Sequence, residues 1–413
     1  MTNKYLGCVA VGAFGILCVA SLEVKAAEET RSFEIYGFAQ ADWIQDSKRM
    51  DPNWVDAFRP SKIGVDNEEG VNPYGANGDS SVSVKQSRFG AKGVMPTDES
   101  HGAITFKFEF DVFGTGVDEG QTTFRLRHIF GEWEQILAGQ TNSVFMDGDV
   151  LPNGIDYWGP NGAVFLRTPQ IRWTPYKTET ASFVIAIERP GNDIDPGNIR
   201  LIDQYQNATI QNQEKVPDLT SHFRLDGGWG HFQIATILRR VGFEYQTVAG
   251  QGAWTSGYET GWGVSLGGAI KAVGKDQILL QVTHGNGIAS FMNDGGTDLA
   301  PNANFNSSSP TSPTLSAEAV PLTGVLAYYD HYWSPKFSSS IGYSFVDVDN
   351  TSFQTPDAFH KAQYASVNLL WTPVSSVMMG GEVLWGDRKN NDGLSGNDAR
   401  FQFTVKYNFG IAL

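Results

Sequence analysis

The chain has 413 residues and a formal net charge of −15 at pH 7, and 12% of its residues are Phe, Trp or Tyr. Such an excess of acidic groups argues against nucleic acid as a partner. The two cysteines, Cys8 and Cys18, both lie close to the N-terminus, so a disulfide framework for the rest of the chain is excluded.

Residues 1–26 have the pattern of a secretory signal peptide. Lys4 precedes an uncharged, mostly apolar run from Leu6 to Leu22, and Val24-Lys25-Ala26 ends in a small residue. This pattern predicts cleavage after Ala26, export of residues 27–413, and a net charge of −16 for the exported part. The alternative, a retained membrane anchor, is disfavoured because the apolar run is short and leads to a small-residue site.

Beyond the signal, apolar and polar residues alternate in many segments. In the last segment Phe401, Phe403 and Val405 share one parity, while Arg400 and Gln402 share the other. Alternation with period two indicates a β-strand, and a second face that carries charges of both signs is not a protein core. We predict sixteen strands, near residues 33–45, 81–95, 102–114, 121–134, 136–143, 164–174, 181–189, 218–227, 231–247, 259–272, 277–288, 322–333, 337–348, 361–372, 377–388 and 398–413.

The predicted connections alternate between short and long. An even number of strands with this alternation is typical of an outer-membrane barrel, with short periplasmic turns and long extracellular loops. The fold class is therefore all-β: a sixteen-stranded antiparallel transmembrane β-barrel over residues 27–413. A repeat supports it, because Trp-Ser/Thr-Pro recurs at Trp173, Trp333 and Trp371, each time before a short turn. Tryptophan prefers the membrane interface, and proline suits a strand end that needs no ladder donor.

Several long segments resemble the DcaP-like family of Gram-negative outer-membrane porins. They include "EIYGFAQADWIQDSKRMDPNW", "VKQSRFGAKG", "TFKFEFDVFG", "GQTTFRLRHIFGEW", "LAGQTNSVFMDGDVLPNGIDYWGP" and "LRTPQIRWTPY". The resemblance is dense from Phe33 to Tyr176 and looser beyond. It implies a homotrimer of sixteen-stranded barrels in the outer membrane, surrounded by lipid and lipopolysaccharide. It also implies passage of small anionic solutes, dicarboxylates especially, through a constriction rich in basic side chains.

The sequence departs from the family in two respects. Some members carry an N-terminal coiled-coil extension, which is not expected here because only Ala27 to Ser32 precede the first predicted strand. Outer-membrane barrels also usually end in an aromatic residue, whereas the sequence ends in Leu413.

Arginines are the candidates for the basic pore lining. In "TTFRLRHIFGEW", Phe124 and Leu126 share one face, so Arg125 and Arg127 share the other, about 7 Å apart. By the same alternation, six arginines are expected to face the lumen: Arg125, Arg127, Arg172, Arg224, Arg239 and Arg400. Arg88 and Arg167 have no clear phase, because glycine or proline lies near them. For every arginine the alternative is a structural ion pair on the barrel wall.

The third long loop, residues 144–163, is the candidate constriction loop. In general porins this loop narrows the channel, and here it would bring Asp147, Asp149 and Asp156 near the basic wall. Opposed charges across a constriction would orient dipolar solutes. A calcium site at Asp147 and Asp149 is the alternative, but the remainder of an EF-hand pattern is missing, so no metal is predicted.

Other functions fit less well. Gly263 to Gly267 reads formally as G-x-S-x-G, but it lies inside an alternating strand and no helix follows, which a hydrolase elbow requires. An energy-coupled uptake receptor would need a larger barrel and an N-terminal plug. We therefore expect neither an enzyme nor a cofactor. A sugar-selective or general diffusion porin is the serious alternative, although most phased aromatic residues fall on the lipid side.

Overall fold

The structure is a computed structural model that describes residues 31–66, 70–97, 101–114, 123–202, 205–247, 250–302 and 315–412. The predicted signal peptide lies outside the described residues. Within those ranges no helix has both the length and the apolar character needed to cross a membrane.

Twenty β-strands make up most of the described chain. They are β1 (Ser32–Asp46), β2 (Asp79–Ser83), β3 (Arg88–Pro96), β4 (Ala103–Asp111), β5 (Arg125–Trp133), β6 (Ile136–Asn142), β7 (Arg167–Lys177), β8 (Ala181–Glu188), β9 (Thr209–Gln213), β10 (Asp218–Gly227), β11 (Gly230–Gln246), β12 (Thr255–Lys271), β13 (Gln277–Asn286), β14 (Leu299–Pro301), β15 (Ala317–Ala319), β16 (Pro321–Ser334), β17 (Phe337–Val348), β18 (Phe359–Val374), β19 (Val377–Asn390) and β20 (Ser395–Ala412). Eighteen belong to one sheet, and β14 pairs only with β15.

The sheet closes into a barrel with sixteen strand positions. β2 and β3 pair with the two ends of β1, and β9 and β10 pair with the two ends of β11, so each of these pairs fills a single position. β1 and β20 pair along their length, from Glu34 opposite Ala412 to Asp46 opposite Arg400. Closure leaves the sheet without an edge, as a membrane requires. The prediction of a sixteen-stranded antiparallel barrel is confirmed.

The two faces of the barrel have opposite chemistry. On β20, Phe401 and Phe403 are 39% and 40% exposed, whereas the alternate residues Gln402 and Thr404 are fully buried. Apolar side chains outside and polar side chains inside are the reverse of a water-soluble protein. The exposed face is therefore the lipid face, and the buried polar face surrounds the lumen.

The tryptophan repeats lie at the end of the barrel with the short turns, which is periplasmic in outer-membrane barrels. Trp173, Trp333 and Trp371 are 50%, 65% and 41% exposed on the outer face. Each lies within a shift of the strand register, in β7, β16 and β18 respectively. The proline of each motif has no N–H to donate, so Pro175 and Pro373 fit the interrupted ladder at these shifts and Pro335 fits the turn after β16.

At the opposite end, long loops fold over and into the barrel. Phe145 from the loop after β6 and Phe291 from the loop after β13 pack against Ile237 of β11 in one buried cluster. A second cluster joins Phe58 of the loop after β1 to Leu384 of β19. The apolar core therefore lies inside the barrel, between these loops and the wall formed by β11 to β19.

Candidate pore constriction

The loop that joins β6 to β7, residues 143–166, is held against the barrel wall through its backbone. The amides of Ile155 and Asp156 donate to the Glu382 carboxylate at 2.7 Å and 3.2 Å. Further wall side chains accept other loop amides: Glu188 from Val144 at 2.8 Å, Asp330 from Asn153 at 3.2 Å, Ser344 from Gly162 at 2.9 Å and Gln281 from Val164 at 2.9 Å. Because every donor is a main-chain amide, the wall residues fix the path of the loop.

The loop after β1 adds a second contact to this loop. Its Phe58 amide donates to Asp156 Oδ1 at 2.9 Å. The Arg59 guanidinium carbon lies 4.1 Å and 4.0 Å from the ring centroids of Trp54 and Trp158, and Asp294 accepts from Arg59 at 2.8 Å. Cation–π contacts and this ion pair therefore join three loops inside the barrel.

Three cavities of about 290, 330 and 310 Å³ lie beside the third loop. Arg167 lines all three cavities. Arg88 and Arg127 line the first cavity, and Arg125 lines the second. Tyr157 is shared by the first two. The free space thus lies along the loop, and Arg167 is the arginine that borders all of it.

Arg125 and Arg127 share the inner face, as predicted from their parity, and both form ion pairs. Arg125 binds Asp111 in a bidentate manner, with Nε–Oδ1 at 3.0 Å and Nη2–Oδ2 at 2.7 Å. Arg127 binds Glu109 at 2.7 Å and Asp111 at 2.9 Å, and it donates to the Tyr157 hydroxyl at 3.3 Å. Arg127 is almost fully buried, whereas the Arg125 side chain is 36% exposed.

The other four predicted arginines also have mostly internal partners. Arg400 pairs with Asp46 at 2.6 Å, directly across β20 and β1, and is fully buried. Arg239 pairs with Asp218 and Asp298, both at 3.1 Å. The remaining two are Arg224, which binds Asp149 at 2.7 Å and Asp226 at 2.9 Å, and Arg172, which donates to Gln170 and to the Asn142 carbonyl. Of the six, only Arg172 has no carboxylate partner among the described residues.

Arg88 and Arg167 differ from that group. No carboxylate of the described residues forms an ion pair with either guanidinium, and Arg88 Nε is buried without a hydrogen-bond partner. Their near neighbours are aromatic: Arg88 lies 5.3 Å from the Phe38 ring centroid and Arg167 lies 4.9 Å from that of Phe165. The sequence left both without a phase, because Arg88 follows an interruption between β2 and β3 and Arg167 precedes Pro169.

The basic side of the cavity therefore carries unbalanced positive charge. Arg88, Arg125, Arg127 and Arg167 supply four positive charges, and Glu109 and Asp111 supply two negative ones. The net charge of this group is +2, which equals the charge of the two arginines without carboxylate partners. An unpaired guanidinium keeps its donors free for a solute, whereas a paired one has already used them.

The acidic residues of the third loop lie beside two arginines that were predicted for the basic wall, Arg224 and Arg400, and Asp156 also lines the first cavity together with Arg88 and Arg167. Asp149 and Asp147 lie 2.7 Å and 3.7 Å from Arg224 Nη1. Asp156 lies 3.8 Å from Arg400 and accepts three backbone amides. Burial raises the pKa of Asp156, while Arg400 acts in the opposite direction. The loop carboxylates thus anchor the loop to the wall.

A metal site is not supported at this loop. Asp147, Asp149 and His231 bring ligand atoms within 4.8 Å of one another. However, the Arg224 guanidinium is bound to the same carboxylates, and His231 Nε2 already contacts Asp147 at 2.8 Å. The positive charge that these carboxylates require is therefore supplied by the protein.

The formal G-x-S-x-G motif lies inside a strand, as expected. Residues 263–267 are in β12, and Ser265 is buried with its hydroxyl 2.8 Å from that of Thr283 on β13. A strand-to-helix turn is absent at this point, so Ser265 has no nucleophile elbow.

Sequence reasoning missed the aromatic residues of the lumen. Phe113 and Tyr157 stack with their ring centroids 3.9 Å apart, and Trp158 lies 5.0 Å from Trp54. All four lie outside the barrel strands, where no period assigns a side chain to one face. The dense aromatic content of "NGIDYWGP" was the available sign of a packed segment.

Comparison with known proteins agrees with this architecture. The family model of the DcaP outer membrane protein matches residues 49–409. The outer membrane channel DcaP of Acinetobacter baumannii superposes with a TM-score of 0.74 at 21% identity, over 93% of this chain and 99% of that one. No protein with curated annotation matches the sequence.

More distant solved structures share the fold. An anion-selective porin from Comamonas acidovorans has a TM-score of 0.53 at 10% identity, over 92% of this chain and 100% of that one. OmpF of Salmonella typhi in complex with daunomycin has a TM-score of 0.54 at 9% identity, over 91% and 97%. At sequence identities this low, the similarity to these structures shows only that the chain shares their barrel fold. The family match extends over most of the sequence, and on that basis the chain belongs to the DcaP outer membrane protein family and is a porin-type channel of the Gram-negative outer membrane.

Proposed function

We propose that this channel passes small anionic solutes, with dicarboxylates among them, and that the third loop forms its constriction. The observation that carries the proposal is the pair of guanidinium groups without carboxylate partners, Arg88 and Arg167, in the cavity beside that loop. They give the group formed by the four arginines, Glu109 and Asp111 a net charge of +2, although the whole chain has a net charge of −15.

The physical reason is that a carboxylate loses part of its hydration shell when it enters a narrow pore. Guanidinium groups replace that shell with charge-assisted, often bidentate hydrogen bonds. Arg125 and Arg127 contribute differently, because Glu109 and Asp111 already occupy their donors. In this proposal Arg125 and Arg127 build the wall, and Arg88 and Arg167 attract the solute.

A sugar-selective porin is the second candidate, since aromatic rings do line the lumen. Sugars bind to free ring faces, yet one face of each of these rings is already occupied. Phe113 covers Tyr157, and the Arg59 guanidinium lies over both Trp54 and Trp158. The occupied faces favour the anion porin over the sugar porin.

We further propose that the protein is a homotrimer, as its resemblance to the family implies. The measurement is the mass of the detergent-solubilised protein by native mass spectrometry. A trimer supports this assignment, and a monomer in a mild detergent contradicts it.

The test of the proposed function is the reversal potential of the wild-type channel in a planar bilayer under a KCl gradient, followed by current block with succinate, phthalate and maltose. We expect a reversal potential of the sign that chloride permeation produces, with block by the two diacids and none by maltose. Cation selectivity, or block by maltose alone, would overturn the proposal.

A further inference from the structure

Strand β1 presents an aromatic ring to the lumen that lies between two cationic side chains. Lys406 Nζ of β20 lies 3.9 Å from the Phe38 ring centroid, and the Arg88 guanidinium carbon of β3 lies 5.3 Å from it. The register explains the arrangement, because Phe38 is opposite Arg88 and its inward neighbour Gln40 is opposite Lys406. The two cationic groups are therefore within about 9 Å of each other, the sum of these distances.

The same arrangement of one ring and two cations recurs at Tyr36, the next inward-facing residue of β1 toward its periplasmic end. Tyr36 has Lys92 Nζ at 5.4 Å and Lys107 Nζ at 5.9 Å from its ring centroid. At this level both lysines have acidic partners, since Lys92 pairs with Glu34 at 3.1 Å and Lys107 pairs with Glu109 at 3.3 Å. Of these two levels, the cations without acidic partners are therefore the ones beside Phe38.

Lys406 is not neutralised by its nearest acidic neighbour. Asp42 is buried, and it accepts hydrogen bonds from Gln40 at 3.0 Å and Gln86 at 3.1 Å. No described carboxylate forms an ion pair with Lys406, whose side chain remains partly accessible. A ring face attracts a cation without cancelling its charge, so Phe38 holds both cations in place and leaves their donors available.

We propose that Lys406 and Arg88 form a second anion site for a small solute with a carboxylate or phosphate group. Lys406 is six residues from Ala412, the periplasmic end of β20, whereas Arg167 is the first residue of β7, at the loop end of the barrel, so the site lies on the periplasmic side of Arg167. This inference rests on the proposed function, and it adds a further binding site to the route that the solute takes through the pore. Arg167 and Arg88 line one cavity, and Arg88 and Lys406 flank one ring, so successive sites share a cation. A solute can then exchange one contact at a time, and several weak sites allow both attraction and release.

The site makes a prediction that depends on the side from which the solute enters. The association rate of succinate is measured from current block in single channels, with succinate on one side at a time. Residues 27–413 contain no cysteine, so a Ser376→Cys label in the turn between β18 and β19 reports which side of each inserted channel is periplasmic. The matched control is Lys336→Gln, which removes one positive charge from another short turn outside the lumen.

We expect Lys406→Gln to lower the association rate from the periplasmic side about fivefold, the ratio that corresponds to about 1 kcal/mol for a partly exposed ion pair. The rate from the extracellular side should change less than twofold. Lys406→Arg should retain the wild-type rates, and Phe38→Leu, which keeps both cations but removes the ring, should lower the periplasmic rate.

Three results would overturn the second site: an unchanged periplasmic rate in Lys406→Gln, equal changes from both sides, or the same change in Lys336→Gln. If Lys406→Gln does not fold, an unchanged periplasmic rate in Phe38→Leu has the same meaning. These outcomes are separate from the proposed function, which fails when the wild-type channel is cation-selective or is blocked by maltose alone.

Discussion

The ion pairs inside the barrel predict that two double variants with equal charge will behave differently. Among the four arginines beside the third loop, Arg88→Gln with Arg167→Gln removes the two that form no ion pair with a described carboxylate, while Arg125→Gln with Arg127→Gln removes the two that pair with Glu109 and Asp111. Each double variant lowers the net charge of the same group from +2 to zero. Only the Arg88 and Arg167 variant keeps the arginine partners of Glu109 and Asp111.

The expected loss of selectivity follows from Coulomb's law. One charge about 7 Å from the solute in water contributes about 0.6 kcal/mol, and screening at 0.1 M salt roughly halves this value. An anion gains and a cation loses about 0.3 kcal/mol for each guanidinium, so the permeability ratio changes about threefold for each one. We expect Arg88→Gln with Arg167→Gln to lower the ratio of anion to cation permeability about sevenfold, at unchanged stability.

The assay is the reversal potential of each variant under the same KCl gradient, combined with the urea midpoint of the heat-modifiable gel band. The Arg125 and Arg127 variant should lose stability, because it removes both arginine partners of the buried Asp111 and leaves the buried Glu109 with only Lys107 and the Tyr36 hydroxyl. A wild-type reversal potential in the Arg88 and Arg167 variant would refute the reasoning. Equal stability of the two double variants would refute the assignment of wall and solute roles.

Three further predictions concern single residues. Arg127→Ser should lower the free energy of unfolding by about 1–3 kcal/mol in urea titrations, because the buried Glu109 then keeps only Lys107 and the Tyr36 hydroxyl as partners; an unchanged midpoint would show that the pair is dispensable. Glu382→Ala removes the acceptor of two loop amides, so single-channel conductance and current noise should rise, and wild-type traces would mean that other contacts suffice. The hydrogen bond from Tyr329 lowers the pKa of Asp276 from 3.8 to about 2, so its stabilising contribution is complete above pH 3.8 and is lost as the pH falls toward 2. Asp276→Asn should therefore reduce the difference in urea midpoint between pH 6 and pH 2, and an identical difference would contradict this assignment.

The strands were predictable because their pattern is local. Alternation with period two depends only on successive residues, and it identified all sixteen strand positions. The same parity turned Arg125 and Arg127 inward, as the structure shows. Parity contains no information about the neighbouring strand, however. From parity alone, replacing both arginines would leave folding nearly intact, whereas their contacts with Glu109 and Asp111 reverse that expectation.

The features that govern the site depend on distant or irregular segments. Arg400 meets Asp46 only because the last strand closes on the first. Arg88 and Arg167 begin strands after an interruption and a long loop, where the alternation has not yet started. The orientation of Tyr157 depends on wall residues far along the chain, such as Glu382, which hold its loop by the backbone. No local pattern encodes these contacts.

The most direct test of the account is a crystal soaked in bromide, with the anion located by its anomalous scattering. Arg88 and Arg167 are the guanidinium groups that the account leaves open to a solute. We predict a bromide peak in the lumen within contact distance of both arginines, beside the third loop. Bromide bound only at Arg125, or only on the outer surface, would contradict the claim that these two residues attract the solute.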